Sequence, residues 1–338
     1  MKRKNLFIII ILALTILTYI LPIYADVNDS DIFEDKSLNL ISYTPYHADA
    51  GIHLEENLYF KKYTLTLHEG IGKIDYCFNK GYLDLIFSTG VVDDLSVINK
   101  DILNFIYAKK TNGDVILSVK TPFKENYVYH DIENPKKVIV LVSKKKNPYI
   151  GKVVLDAGHG GEDPGANRKY KDKTILEKDI TLNLALMCEP LLRYNGVNVS
   201  LTRNTDTYMP DCKTEAEDLR KRVQIANNSK SDAFISIHVN TNDDPDCSGI
   251  TIYTSNKEKK SERLGTMINK EFKTKTPWQT TDLKQANLYV LQNINMCGVL
   301  LECGFLTNPN DMKKLCDISE LNKIAKSISN GILRFFKE

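Results

Sequence analysis

Histidine is scarce in this sequence, which makes it informative: there are six, and two of them, His159 and His238, fall where an apolar run ends. His159 follows Val153-Val-Leu-Asp-Ala-Gly158, and His238 follows Phe234-Ile-Ser-Ile237. Two neutral imidazoles and one carboxylate suit a zinc ion, with a fourth position left for water. A lone loop histidine has a plainer structural reading; two at strand ends in one sheet favour the metal. The third ligand should be an acid near a helix start. Glu177-Lys-Asp179 supplies acids there, although acids in a first turn also complement the helix dipole. Glu302 ends the apolar run Gly298-Val-Leu-Leu301, where a carboxylate is costly unless paired or functional. Metal-assisted hydrolysis needs such a group to take a proton from water. Cys303 lies beside it and offers a second reading, a cysteine nucleophile paired with His238; a small buried cysteine is the commoner case.

The loop Gly158-His-Gly-Gly161-Glu-Asp-Pro-Gly165 has a rival reading as a phosphate cradle. It contains neither G-x-G-x-x-G nor G-K-[ST], and Pro164-Gly165 turns the chain instead of opening a helix.

These residues need a scaffold of strands and helices. Val153–Leu155, Val197–Thr202, Ala233–Ile237, Ile250–Tyr253 and Val299–Leu301 read as strands. Ile180, Leu184, Met187 and Leu191 recur at helical spacing, with Pro190 expected to kink or loosen the helix near its end. Thr214-Glu-Ala-Glu217 has the form of a capping box opening the helix of Leu219, Val223 and Ala226. Ile318, Leu321, Ala325, Ile328 and Ile332 form the stripe of a last amphipathic helix. Strands alternating with helices predict an α/β fold with a mostly parallel sheet flanked by helices, whose chemistry sits at strand ends.

Before this part the pattern is β. Tyr63, Leu65 and Leu67 alternate with polar residues, as do Leu83, Leu85 and Phe87, and Val115, Leu117, Val119 and the run Val138 to Val142 follow. Short period-2 runs predict a small all-β sandwich domain over 58–142. Residues 26–57 read as a spacer, and 143–150, with three lysines and Pro148, as a linker to a catalytic domain over 151–338.

At the N-terminus, Lys2, Arg3 and Lys4 precede an uncharged run from Leu6 to Ala25. A positive flank before an apolar core is an export signal. The run is also long enough to span a bilayer, so 1–25 is a signal peptide or a membrane anchor. The balance of 45 basic against 43 acidic residues is too even for a chain that lives on nucleic acid. Seven cysteines without a C-x-x-C pair exclude a zinc ribbon or a disulfide framework.

Leu155-Asp-Ala-Gly-His-Gly-Gly-Glu-Asp-Pro-Gly-Ala166 resembles the first motif of the zinc-dependent N-acetylmuramoyl-L-alanine amidases of bacterial cell walls. Glu177-Lys-Asp179, Thr202-Arg203 with Asp206, Arg222 with Ala226-Asn227, Ser236-Ile-His-Val-Asn240 and Leu301-Glu-Cys-Gly-Phe-Leu-Thr-Asn308 resemble the family's further motifs, in order, across about 151–338. The β-rich region resembles the AMIN domain found ahead of such amidases, with Asn134-Pro-Lys-Lys-Val138 as its best residues. The resemblance implies a six-stranded α/β fold. It implies one zinc per chain on His159, Glu177 and His238, with Glu302 as the catalytic carboxylate. Asp156 and Asn240 are candidates to orient a ligand from behind. The implied reaction is cleavage of the amide between N-acetylmuramic acid and L-alanine in peptidoglycan, outside the cytoplasmic membrane or in the wall. An activator protein is a further expected partner, as is the membrane through residues 6–25 if they are uncleaved. A catalytically degenerate wall-binding protein is the alternative of another class. One stretch departs from the family: Asn167 to Leu176 carries Arg168, Lys169, Lys171 and Lys173 and reads as a basic, solvated loop.

Overall fold

A computed structural model describes residues 51–67, 74–87, 105–109, 115–209, 212–254 and 259–338. The export segment and the expected spacer up to residue 50 lie outside the described residues.

The all-β region consists of strands β1 (Gly51–Glu56), β2 (Phe60–Thr66), β3 (Ile74–Asn79), β4 (Tyr82–Phe87), β5 (Phe105–Lys109), β6 (Val115–Lys120), β7 (Tyr127–His130) and β8 (Lys137–Ser143). They form two four-stranded antiparallel sheets, ordered β1-β2-β8-β7 and β3-β4-β6-β5. Alternation decides which side chains go inside. Tyr63, Leu65, Val138 and Val140 of the first sheet share one core with Leu83, Leu85, Phe87, Leu117 and Val119 of the second. Strand β1 falls inside the segment read as spacer. It pairs along β2 from Gly51↔Thr66 to Glu56↔Lys61, and with a single hydrophobic pair, Ile52 and Leu54, its alternation is too short to stand out in sequence.

The α/β part follows with β9 (Gly151–Ala157), β10 (Asn167–Tyr170), β11 (Lys173–Leu176), α1 (Glu177–Tyr194), β12 (Val197–Leu201), α2 (Glu215–Ser229), β13 (Ala233–Asn240), β14 (Ile250–Thr254), α3 (Lys259–Lys275), β15 (Lys284–Gln285), α4 (Tyr289–Asn293), β16 (Cys297–Phe305), α5 (Pro309–Leu315) and α6 (Ile318–Lys337). Six strands make one sheet in the order β12-β9-β13-β16-β14-β15, parallel throughout except where β14 meets β16. The mostly parallel six-stranded sheet flanked by helices is therefore present. Its strands read as unbroken apolar runs because both faces are covered. Leu155, Ile235, Ile237 and Leu301 face a core built with Ile180 and Leu184 of α1, Ile268 of α3 and Ile324 and Ile328 of α6. Val154, Phe234 and Leu300 face Val223 and Ala226 of α2 and Val290 of α4. The capping box is formed: the Thr214 side chain accepts from the Glu217 amide, and Glu217 accepts from the Thr214 amide.

One expectation changes. The basic stretch 167–176 is not a bare loop but an antiparallel hairpin, β10 with β11, paired from Asn167↔Leu176 to Tyr170↔Lys173. Tyr170 and Ile175 anchor it on the main core, and the four basic side chains around them hide the alternation. The connection 144–150 is short, and the two regions it joins are packed together. Phe60, Tyr129 and Leu141 form a buried cluster with Tyr59, Tyr127, Tyr149 and Tyr194 of both parts. Asn57 Nδ2 donates to the Tyr194 carbonyl at 2.8 Å, and the Arg193 guanidinium stands 4.1 Å from the Tyr127 ring centre.

Candidate metal centre

Parallel strands deliver the histidines. Register pairs Ile237 of β13 with Ala157 of β9, so the residues that follow each strand end emerge side by side. Gly158 continues the pairing by donating to the Ile237 carbonyl at 3.0 Å. His159 then turns away with φ +61°, a left-handed conformation rare for a residue with a Cβ. Such conformations cost about 1–3 kcal/mol and persist only where the surroundings enforce them.

Glu177 is the first residue of α1 and is buried. Its Oε2 accepts from the Ala166 amide at 2.8 Å, and its Oε1 from the Val239 amide at 2.9 Å. His159 Nε2 lies 3.2 Å and His238 Nδ1 3.0 Å from that same Oε1. The three side chains present donor atoms all within 4.8 Å of one another. Two glycines permit the close approach. A Cβ on Gly158 would sit 2.4 Å from His238 Cε1, and one on Gly165 would sit 2.6 Å from His159 Cδ2 and 2.7 Å from Glu177 Oε2.

The electrostatics follow from this crowding. Burial opposes a charge on His159, but the hydrogen bond and charge of Glu177, then those of Asp163, outweigh it and lift the imidazole to about 9. Burial likewise pushes Glu177 up, yet the two histidines hold it well below the usual carboxylate range. Two imidazole nitrogens and one carboxylate oxygen thus crowd together, where a divalent cation would serve the same three lone pairs. Two nitrogens and one carboxylate oxygen are the donor set of a zinc site that keeps a fourth position open.

Glu302 stands beside this group. On β16 it pairs with His238 on one side and with Thr251 of β14 on the other. Its Oε2 is shielded from solvent and has no hydrogen-bond partner among the described residues. Burial is the largest influence on it and raises it to about 7, with Glu177 adding to the rise and His238 and His159 opposing it. A shielded carboxylate oxygen without a partner among the described residues, beside three metal-type donors, suits the neighbourhood of a divalent cation.

The structure brings His159, Glu177, His238 and Glu302 together. Asp156 and Asn240 do not reach the ligands. Asp156 lies opposite Ser236 in the sheet and accepts from Thr202 Oγ1 (2.8 Å), Ser236 Oγ (2.7 Å) and Arg222 Nη1 (2.8 Å). Its oxygens are taken up by the sheet interior. Asn240 accepts from the Thr241 amide on its side chain and from Leu306 N on its carbonyl. The residue behind His159 is instead Asp163, whose Oδ2 lies 2.7 Å from His159 Nδ1. Its sequence signal was an acid four residues after the histidine in the glycine loop. Cys303 is fully buried in the apolar core, pushed well above the ordinary thiol value by burial, and follows Glu302 on a strand, where neighbours point to opposite faces. Both features oppose a nucleophilic role with His238.

Charged side chains hold the loop. Lys178 Nζ donates to the Gly161 carbonyl and to Asp206 Oδ2, each at 2.7 Å, while Asp206 Oδ1 accepts from the Gly161 amide. Arg203 and Arg222, both buried, donate to backbone carbonyls at the end of β9 and beyond it.

A family model described as N-acetylmuramoyl-L-alanine amidase matches residues 153–334. The germination-specific N-acetylmuramoyl-L-alanine amidase of Bacillus subtilis (strain 168) is 36% identical over 199 residues, 56% of this chain and 82% of that protein. The probable cell wall amidase LytH of Staphylococcus epidermidis is 34% identical over 195 residues. That match covers 57% of this chain and 62% of LytH, so the chain spans less than two thirds of that relative. Among solved structures, the CwlD amidase from Clostridioides difficile, in complex with the GerS lipoprotein, matches with a TM-score of 0.51 and 33% identity, over 55% of this chain and 98% of that one. An N-acetylmuramoyl-L-alanine amidase from Clostridium difficile 630 matches with a TM-score of 0.50 and 30% identity, over 56% of this chain and 97% of that one.

Proposed function

The chain belongs to the N-acetylmuramoyl-L-alanine amidase family, and from that membership we propose that it is a zinc hydrolase cleaving the amide between N-acetylmuramic acid and L-alanine in peptidoglycan. The observation that carries this reading is the convergence of His159, Glu177 and His238 within 4.8 Å, with Glu302 opposite His238 on the adjoining strand.

His159, Glu177 and His238 would hold one zinc ion per chain. When bound, such an ion polarises the scissile carbonyl and makes water a nucleophile at neutral pH. Glu302 takes the proton from the attacking water and returns it to the leaving amine of L-alanine. Its raised value suits both steps, because a group near the working pH gives and accepts a proton with comparable ease. Asp163 holds His159 by its Nδ1 and so keeps Nε2 turned to the centre. The intact donor set and Glu302 favour catalysis over a degenerate binding module.

The chain's surroundings complete the proposal. Residues 1–25 export it, either as a cleaved signal or as an anchor, and the all-β region, read as AMIN-like, attaches it to the wall. No helix among the described residues is long and apolar enough to cross a membrane, and residues 6–25 lie outside them. The solved complex of a related amidase with a lipoprotein supports an activator protein as a partner here.

Digestion of purified peptidoglycan followed by mass analysis tests the reaction. Glycan strands carrying unsubstituted N-acetylmuramic acid and free peptides beginning with L-alanine are expected. Release of peptides cut inside the stem, with the muramoyl amide intact, would overturn it. Activity should vanish with a chelator, return with zinc and survive a thiol reagent.

A further inference from the structure

Three consecutive carbonyls, those of Ala157, Gly158 and His159, leave the end of β9 and enter the glycine loop. Two guanidinium groups collect them. Arg203 donates from Nε to Ala157 O at 2.9 Å and from Nη2 to Gly158 O at 2.9 Å. Arg222 donates from Nη1 to Ala157 O and from Nη2 to His159 O, each at 2.6 Å. Arg203 Nη2 also reaches the Lys178 carbonyl at 2.8 Å and Thr181 Oγ1 at 3.1 Å, tying the loop to the first turn of α1 that carries Glu177.

This arrangement is costly. Both arginines are nearly inaccessible to solvent; burial, and then the charge of Arg222, lowers Arg203, whereas Asp156 and Asp218 outweigh burial and raise Arg222. Asp156 and Asp218 pair with Arg222, whereas the hydrogen bonds of Arg203 go to carbonyl and hydroxyl oxygens. A buried cation placed on backbone oxygens fixes backbone conformation. The conformation fixed here is the left-handed one of His159, which sets the direction of its ring.

We propose that Arg203 and Arg222 are positioning residues for the metal: they clamp the carbonyls of residues 157–159, hold His159 in its left-handed conformation, and so set the affinity of the site for zinc. The proposal rests on His159, Glu177 and His238 being the zinc ligands. Lysine keeps the charge but lacks the planar fork that reaches two carbonyls at once.

The test measures zinc affinity of the full chain by competition with a chromogenic chelator, beside far-UV circular dichroism and thermal unfolding of the metal-free form. Arg203→Lys and Arg222→Lys should fold and bind zinc about 10- to 100-fold more weakly, the scale on which supports behind a ligand act. Arg193→Lys, at the far end of α1, should leave zinc affinity unchanged. Thr181→Val removes only the hydroxyl, which meets Gly158 O, Lys178 O and Arg203, and should weaken zinc roughly threefold or more. It decides the matter if neither arginine variant folds. Zinc affinity within twofold of the wild type in any of these three folded loop variants overturns the proposal. Absence of zinc binding by the wild type would instead overturn the ligand assignment on which it stands.

Discussion

Asp163 Oδ2 lies 2.7 Å from Nδ1 of His159, and the ring's other nitrogen is thereby turned toward Glu177. The same carboxylate accepts from the Gly165 amide through Oδ1 at 3.0 Å, so one side chain fixes both the ring and the loop beside it. Asp163→Asn should lower zinc affinity by about 10- to 100-fold. Chelator competition measures this directly, and an unchanged dissociation constant would remove Asp163 from the centre.

Glu302 separates metal binding from proton transfer. Glu302→Gln should keep about one zinc per chain and lose about 10²-fold or more in kcat. Metal content by atomic emission, read beside turnover, checks both. A metal-free Gln variant would make Glu302 a ligand and reopen the place of Glu177.

Gly158 has no unusual backbone requirement, yet a Cβ there would meet the His238 ring at 2.4 Å. Gly158→Ala should therefore displace His238 while β9 remains folded. Overpacking of this kind costs about 1–3 kcal/mol. The expected result is reduced zinc content with circular dichroism retained; full zinc occupancy at wild-type affinity would show that His238 is not a ligand in that position.

The buried pair of Asp156 and Arg222 makes a stability prediction. Arg222 keeps Asp218 as a partner, but loses the Asp156 charge and the charge-assisted bond to it, so Asp156→Asn should cost about 1–3 kcal/mol in urea unfolding. Burial raises Asp156, but the Arg222 charge and the hydrogen bonds of Ser236 and Arg222 outweigh it and hold it below its ordinary value. A carboxylate lowered on folding stabilises fully above its unfolded value, about 3.9, and loses that contribution as pH falls through the folded one. The acid limb of the stability profile should flatten in the variant, and an unaltered limb would show that Asp156 does not carry it.

The all-β region touches the catalytic part through Tyr127, Tyr129 and Tyr194. Deleting residues 26–142 should weaken sedimentation with whole sacculi, because one of two linked binding elements is gone. Residues 151–338 should still hydrolyse soluble muropeptides, with a lower Tm because Tyr194 and Glu189 lose their cover. Unchanged sedimentation with collapsed muropeptide turnover would make the region a support and not a targeting module.

The sequence alone determined the family and the scaffold. His159, His238 and Glu302 sit where short apolar runs stop, and runs so short, rich in Val and Ile and flanked by turn residues read as buried strands and not as helices. The Thr214 capping box and the stripe of α6 were equally local, since each depends on residues within a turn or two of one another. Partners across space were decided by the tertiary structure. Asp156 and Asp163 flank the same histidine in sequence, but strand register assigns one to Ser236 and Arg222 and the loop's return assigns the other to His159. Register likewise sets Glu302 opposite His238 and sends Cys303 into the core. It is fixed by which face of each strand must be buried, a property of the packed sheet that no spacing along the chain contains.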